Sequence, residues 1–192
     1  MGYFGGVGLI LLQAAFGVLM FVAVLRVLLP LSGARFRNPI CQLIYKATNP
    51  VLVPLTRAIP NFRGVSVAGI LLAWIIALLG LVLLVVLSRS AVGAPVVLML
   101  SVELLAYFVL ALYFWMIILR AVMSFFSPDM GSPAVEVLHA LTEPVLKPFQ
   151  KLPPRNAGID LSPLYACVAI RIAQYTLTSF GDFLGLPKLP FL

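Results

Sequence analysis

The sequence predicts an all-α membrane protein with four transmembrane helices from a tandem two-span repeat, each repeat carrying a proline-broken amphipathic interfacial linker. Three observations lead there. Of the 192 residues, 62% are hydrophobic and only 10% charged, whereas soluble domains run at roughly 45–50% apolar and about 25% charged. A soluble fold has too little interior to hide that much apolar side chain, so a bilayer is the natural solvent. Four apolar runs are each long enough to supply the about 20 residues a span requires. Finally, the chain resembles itself at a shift of 94 residues with no gap.

The first run, Gly5–Leu31, begins without Lys or Arg. A secretory signal has a basic n-region and a small-residue cleavage site soon after its apolar stretch, so this run is expected to be a retained helix. The second, Val65–Leu87, has no charge at all. The third, Pro95–Phe126, is longer than a bilayer needs and must tilt, kink or project. The fourth is Leu161–Phe183. The first repeat is then residues 1–88, with its linker at 36–62. The second is 95–183, with its linker at 130–157, and 184–192 form a C-terminal tail.

The repeat rests on polar and special residues, which shared hydrophobicity does not explain. Leu25-Arg26 falls on Leu119-Arg120, Pro39 on Pro133, Thr48 on Thr142 and Pro50-Val51-Leu52 on Pro144-Val145-Leu146. Pro54 falls on Pro148, Pro60 on Pro154 and Gly64 on Gly158. A unit with two spans returns to its starting side, so the two units share one orientation about a pseudo-twofold axis along the membrane normal. Inverted-repeat carriers need the opposite relation. The linkers hold Arg35, Arg37, Lys46, Arg57, Arg63, Lys147, Lys151 and Arg155, against Arg89 and Lys188 on the other side. Positive-inside bias therefore places both linkers in the cytoplasm and both termini outside. The same bias accounts for the net charge of +7, and no direct nucleic-acid partner is expected.

Each linker opens like a helix. Asn38-Pro39 and Ser132-Pro133 supply an N-cap and a proline at the first helical position, where its missing N–H would be unpaired anyway. Ile40, Leu43, Ile44, Ala47 and Val51 follow helical spacing, with Gln42, Lys46 and Asn49 opposite. In the second unit Val135, Leu138 and Val145 face one way, and Glu136 and Glu143 the other. Pro50 and Pro144 are expected to bend the path. A short segment follows, containing Pro54 or Pro148 and stopped by Pro60 or Pro154. One reading makes these stretches interfacial elbows, apolar face down, with Arg57 or Lys151 reaching anionic lipid headgroups. The other makes them connecting turns. The linkers either dock on each other near the axis, where Arg35 and Asp129 are equivalent, or stay separate solvated faces.

Three arginines lie within spans. Arg26 and Arg120, near the cytoplasmic ends, either snorkel to headgroups or line a cleft or anionic-lipid site. Arg171 lies about ten residues into the last span, roughly 15 Å deep, and is equivalent to Ala77. Burial of an unpaired arginine is costly, so an ion pair with Glu103 is expected, completed by Gln174 and Tyr107. The two cysteines, Cys41 and Cys167, are expected to be small apolar packers. One histidine, His139, cannot build a two-His metal or haem site. No nucleophile, metal or phosphate-loop motif is present, so no catalytic residue, metal or cofactor is expected.

The doubled pattern of Leu25-Arg26, Asn38-Pro39, Thr48-x-Pro50-x-x-x-Pro54 and Ile59-Pro60, then Arg120, Ser132-Pro133, Thr142-x-Pro144-x-x-x-Pro148 and the closing GIDLSP of Gly158 to Pro163, resembles the YggT/YlmG family of small membrane proteins. The first copy lacks the D-x-S-P ending, so a role for Asp160, Ser162 and Pro163 does not extend to both halves. The resemblance implies roles without a shared reaction: osmotic-shock survival and cell-division regions in bacteria, nucleoid distribution and haem attachment to a membrane cytochrome in chloroplasts. That range suits a non-enzymatic scaffold or assembly factor linked to osmotic-stress tolerance, with a membrane protein partner or self-association. The alternative is a channel or transport protein in ion homeostasis. The two differ in whether Arg26, Arg120 and Arg171 face a water-filled path or a dry core.

Overall fold

The computed structural model describes residues 3–60, 62, 64–88, 92–125, 132–152 and 161–186. Pro154, Gly158 and Asp160 of the predicted motifs lie outside them, as do Arg63, Arg89, Asp129, Arg155 and Lys188. The regular elements are helices: α1 (Tyr3–Leu31), α2 (Pro39–Ala58), α3 (Val67–Leu87), α4 (Ala94–Phe125), α5 (Pro133–Leu146) and α6 (Ser162–Phe183), with a 3₁₀ turn at Phe149–Lys151. The chain is a multi-pass membrane protein. Among the described residues, Gly6–Leu31, Val67–Leu87 and Ala94–Ser124 are long and apolar enough to cross a bilayer. α6 has 22 residues, one more than α3. Arg171, Gln174, Thr176, Thr178 and Asp182 break its apolar run, so it does not join that set.

The long helices stand in a row: α3 packs on α1 and on α4, and α6 packs on the other side of α4. Small residues set the first of these contacts. Gly69, Ala73, Ala77 and Gly80 lie along one buried face of α3. Val27 and Phe16 of α1 approach Gly69 and Gly80 so closely that a Cβ would meet their side chains at 2.8 and 3.0 Å. Between them, Met20, Ala23 and Val24 meet Ala73 and Ala77. In lipid there is no hydrophobic drive between helices, so close van der Waals approach of this kind holds them together. α4 bonds to α3 through Trp74, whose Nε1 donates to the fully buried Ser101 Oγ at 2.9 Å.

The buried face of α6 keeps the gap-free shift at its ends and slips by one residue between them. Ser162 and Gln174 match the buried Ala68 and Gly80 of α3, whereas Ala166 and Ile170 are buried where the shift sets Cys167 and Arg171 against Ala73 and Ala77. The buried place that Ala77 holds on α3 is taken on α6 by Ile170, and Arg171 lies outside it. α1 and α6 both end in Schellman motifs. Ala34 N donates to Leu29 O and Leu186 N to Gly181 O, with Gly33 and Gly185 supplying the positive φ of 69° and 72°.

The first linker is not proline-broken. α2 runs uninterrupted through Pro50 and Pro54 to Ala58, and only Ile59, extended ahead of Pro60, ends it. The reason lies in which face the prolines occupy. Pro50 and Pro54 are exposed, on the same outward face as Leu43, Ala47 and Val51, and there the carbonyls that lose their donors do not point into the core. The buried face is Cys41, Ile44, Thr48 and Leu52 instead. Leu43 and Val51, expected on the apolar face of the linker helix, are 66% and 52% exposed. In the second linker α5 ends at Leu146, six residues earlier relative to the repeat, and a turn through Pro148 leads into the 3₁₀ turn. Leu152 is extended because Pro153 follows it.

The linker helices dock on each other. Cys41 and Ile44 of α2 share a core with Val137, Leu138 and Leu141 of α5, closed by Leu25 and Leu29 of α1 and Met116 of α4. Asn38 joins them. Its Oδ1 caps α2 by accepting from Ile40 N at 2.9 Å. Its Nδ2 donates to Pro133 O at 2.9 Å and Glu136 Oε2 at 3.0 Å on α5. Ser132 holds the corresponding position on α5 and makes no side-chain cap bond. Asn38→Ala should therefore cost about 2 kcal/mol, from one lost cap and two stranded acceptors, while Ser132→Ala stays within about 0.5 kcal/mol. Unfolding midpoints of the two variants in detergent check the asymmetry.

Candidate functional site

The site suggested by the sequence is the pair of arginines at the linker ends of α1 and α4. Neither snorkels away from the protein, because each is held by a linker helix. Arg26 lies with its Cζ 3.6 Å from the Tyr45 ring centroid. Tyr45 is braced in turn by Phe36, edge to face at 4.9 Å between centroids. Arg26 Nε is buried without a hydrogen-bond partner, so the ring face carries much of the charge compensation there.

Arg120 meets a different set, about one turn further along the second linker. Its Nη1 donates to Thr142 Oγ1 at 2.9 Å and its Nη2 to Glu143 Oε2 at 2.9 Å. Its side chain is 16% exposed. Thr142 is fully buried and also donates to Leu138 O at 2.7 Å. Thr48 makes the same bond to Ile44 O at 2.8 Å. Glu143 corresponds to Asn49, so the first linker offers no carboxylate at this place, and the aromatic Tyr45 stands where the second has His139.

A weaker ion pair closes the linker surface. Arg35 Nε lies 3.6 Å from Glu136 Oε1, with 84% and 37% of the two side chains exposed; such pairs contribute little. Beside it, Arg35, Asn38 and Glu136 line a polar cleft with Gly33, Ala34 and Ala140. The remaining elbow residues lie at helix ends or on exposed faces. Pro39 and Pro133 occupy the first helical position. Pro144 sits inside α5 near its end, exposed like Pro148. Arg57 and Lys151 are exposed in last turns, where a cation complements the helix dipole. Of the closing motif, Ser162 is buried and Pro163 lies in the first turn of α6, a position that suits proline.

The expected Arg171–Glu103 pair is not formed. α4 and α6 run antiparallel in a register that sets Glu103 against Gly181, where a Cβ would meet its carboxylate oxygens at 2.7 and 2.8 Å. Arg171 lies ten residues back along α6, roughly 15 Å away. It is exposed, its Nη1 donates to Gln174 Oε1 at 3.3 Å, and its Cζ sits 5.0 Å from the Phe114 ring centroid. Gln174 thus joins Arg171 as expected, while Glu103 does not. Depths counted from span ends do not fix which faces of two helices meet.

Between the long helices the lining is apolar. A cleft of about 230 Å³ among α1, α3 and α4 is walled by Phe16, Met20, Ile76, Leu81, Leu104 and Phe108, with Gln13 at its edge. No group of three His, Cys, Asp or Glu side chains fit for a metal occurs among the described residues. Cys41 is buried and Cys167 half-buried, both as free thiols. Tyr45, Phe36 and Glu143 are the partners of the two arginine sites that sequence reasoning missed. The contrast between Asn49 and Glu143 at one repeat position was the available signal for the last.

Tyr45→Phe should leave stability near wild type, since the ring face remains. Tyr45→Leu should lose about 1–2 kcal/mol. A double-mutant cycle of Arg120→Leu with Glu143→Gln should return a coupling of about 0.5–1 kcal/mol, because Glu143 is half exposed. Burial and the Arg120 guanidinium push His139 below the usual imidazole range, against the pull of Glu143. The unfolded chain then binds the extra proton first, so stability should fall as pH drops from about 6.5 toward the lower folded value. Comparing unfolding midpoints across pH 5 to 8 isolates this effect, because His139→Gln should flatten that part of the profile.

Known proteins give the chain its relations. The CCB3/YggT family model matches it twice, over residues 7–87 and 98–181. A Pseudomonas aeruginosa protein is 32% identical over 181 residues, covering 93% of this chain and 92% of its own length. A Vibrio alginolyticus protein encoded in the proC 3′ region is 33% identical over 177 residues, covering 91% and 94%. YggT of Escherichia coli K12 is 31% identical over 182 residues, covering 95% of each. No solved structure matches. With both halves matched by one family model and relatives alike along nearly their whole length, the chain belongs to the CCB3/YggT family.

Proposed function

We propose that this protein is a non-enzymatic membrane scaffold or assembly factor of the bacterial inner membrane, linked to osmotic-stress tolerance. The observation that carries this reading is where its charges are. Arg26 and Arg120 are tied to linker helices at one end of the molecule, and the space between α1, α3 and α4 is apolar. A conducting path needs polar or charged groups along its length.

The same reading holds α6 to be a fourth span and the two halves to be a tandem duplication. Two matches of one family model along the chain support the duplication. So do the clamps, which recur 94 residues apart on Arg26 and Arg120. Both termini are outside and both linkers cytoplasmic. Leu43, Ala47, Val51 and the two exposed prolines of α2 then form a face for the acyl boundary, with Lys46 and Arg57 at its margin near anionic headgroups. No direct contact with nucleic acid belongs to this reading.

Purified protein in proteoliposomes should show no ion flux above empty vesicles under an osmotic downshift, and single cysteines at positions 33–37 should resist impermeant thiol reagents in intact cells. Flux would install the transport reading in its place, and labelling from outside would invert the topology.

A further inference from the structure

Arg171 is the one charge of the long helices that the fold leaves on an outer surface near mid-helix among the described residues. It stands nine residues from Ser162 and twelve from Phe183, roughly 14 and 18 Å from the two ends of α6. Leu164, Val168, Ile172 and Tyr175 are exposed around it, from 51% to 75%. Val168, Ile172 and Tyr175 line, with Phe114 of α4, an open groove of about 470 Å³. The guanidinium is held in place, by Gln174 Oε1 on one side and the Phe114 ring on another, yet neither neutralises its charge.

On the four-span reading proposed above, on which this inference rests, that charge meets the bilayer two to three turns from either interface. Snorkelling serves arginines near helix ends, and intramembrane arginines otherwise face a protein interior or pair with another charge. Among the described residues none supplies a carboxylate at this depth. Glu103 lies against Gly181 near the far end of α6, Asp182 is at that end, and Glu136 and Glu143 are on α5. A second copy whose twofold axis passes at Arg171 does not supply one either, because it sets the guanidinium against its own symmetry mate.

We infer that the outer face of α6 docks a membrane-spanning helix of a different protein, through a carboxylate on that helix that pairs with Arg171. Val168 and Ile172 flank the charge with apolar surface, and Phe114 and Gln174 preorganise the guanidinium so that little order is lost on pairing. The same face explains why α6 alone of the four long helices is too polar to be recognised as a span: its polar positions serve an interface rather than lipid.

A photoreactive residue at Val168, in the full chain in native membranes, tests this, with Val82 on the outer face of α3 as the control position. The expected result is one discrete protein adduct at Val168 and none at Val82, with the crosslinked peptide an apolar segment carrying Asp or Glu. Arg171→Leu should reduce that adduct at least about tenfold, as expected on truncating one partner of a buried charge pair, and Arg171→Gln should do the same. Arg171→Lys should retain most of it. Adducts with lipid alone, with a second copy, with a segment lacking a carboxylate, or unchanged in Arg171→Leu overturn the inference. The span reading is read out separately, by a single cysteine at 168 and an impermeant maleimide applied to right-side-out and inverted vesicles. Shielding from both sides sustains it, and labelling from either overturns the fourth span and this inference together.

Discussion

A guanidinium at the edge of a membrane core must be answered by something, and Arg26 and Arg120 impose that demand at the linker ends of α1 and α4. An unpaired charge there would be costly, and a long side chain reaching headgroups gives only a loose anchor. Each arginine instead fixes a linker helix across the end of its own span. With the linker helices held there, α2 and α5 meet each other, and the core of Cys41, Ile44, Val137, Leu138 and Leu141 forms between them. Asn38 then needs no separate explanation. Once α2 begins beside α5, its amide reaches the start of the neighbouring helix.

The two linker helices are held by different chemistry. Thr48 and Thr142 both turn their hydroxyls back onto the helix, but only Thr142 also accepts from an arginine. Where Glu143 supplies a carboxylate, its counterpart Asn49 does not, and Arg26 turns to the face of Tyr45. The linker helices differ in depth as well. Val137 and Leu141 of α5 are buried, while their counterparts Leu43 and Ala47 on α2 are exposed. α5 sits among α1, α2, α4 and α6, and α2 lies at the margin of the molecule. That freedom on one side is what lets α2 carry Pro50 and Pro54 without breaking.

The row of long helices follows from residue size. Glycine and alanine on α3 admit α1 at close range, and α4 takes the other contacts of α3 through Leu81, Val97 and Leu100. α6 reaches α4 by a similar face, Ala166 and Ile170 against Ile117. A one-residue slip in the middle of that face, at Ala166 and Ile170, decides the environment of Arg171. At the position of Ala77 it would point into α4; one residue further round the helix it points out.

The sequence by itself determined the membrane class, the helical elements to within about two residues at most ends, and the repeat positions that become the two clamps. These are local or compositional properties: apolar run length, caps, prolines at first helical positions and the recurrence of Arg, Thr and Pro. Tertiary structure alone decided which faces meet. Whether Pro50 breaks a helix depended on the side of α2 that faces out. Whether Glu103 meets Arg171 depended on the register of α4 and α6, which span-end depths do not contain. The partner of Arg26 depended on the approach of Tyr45 from another helix. In each case the deciding quantity is a rotation or a slide of one helix against another. Side chains four apart share a face while neighbours lie about 100° apart, so a shift of one residue exchanges a buried position for an exposed one with no change in composition.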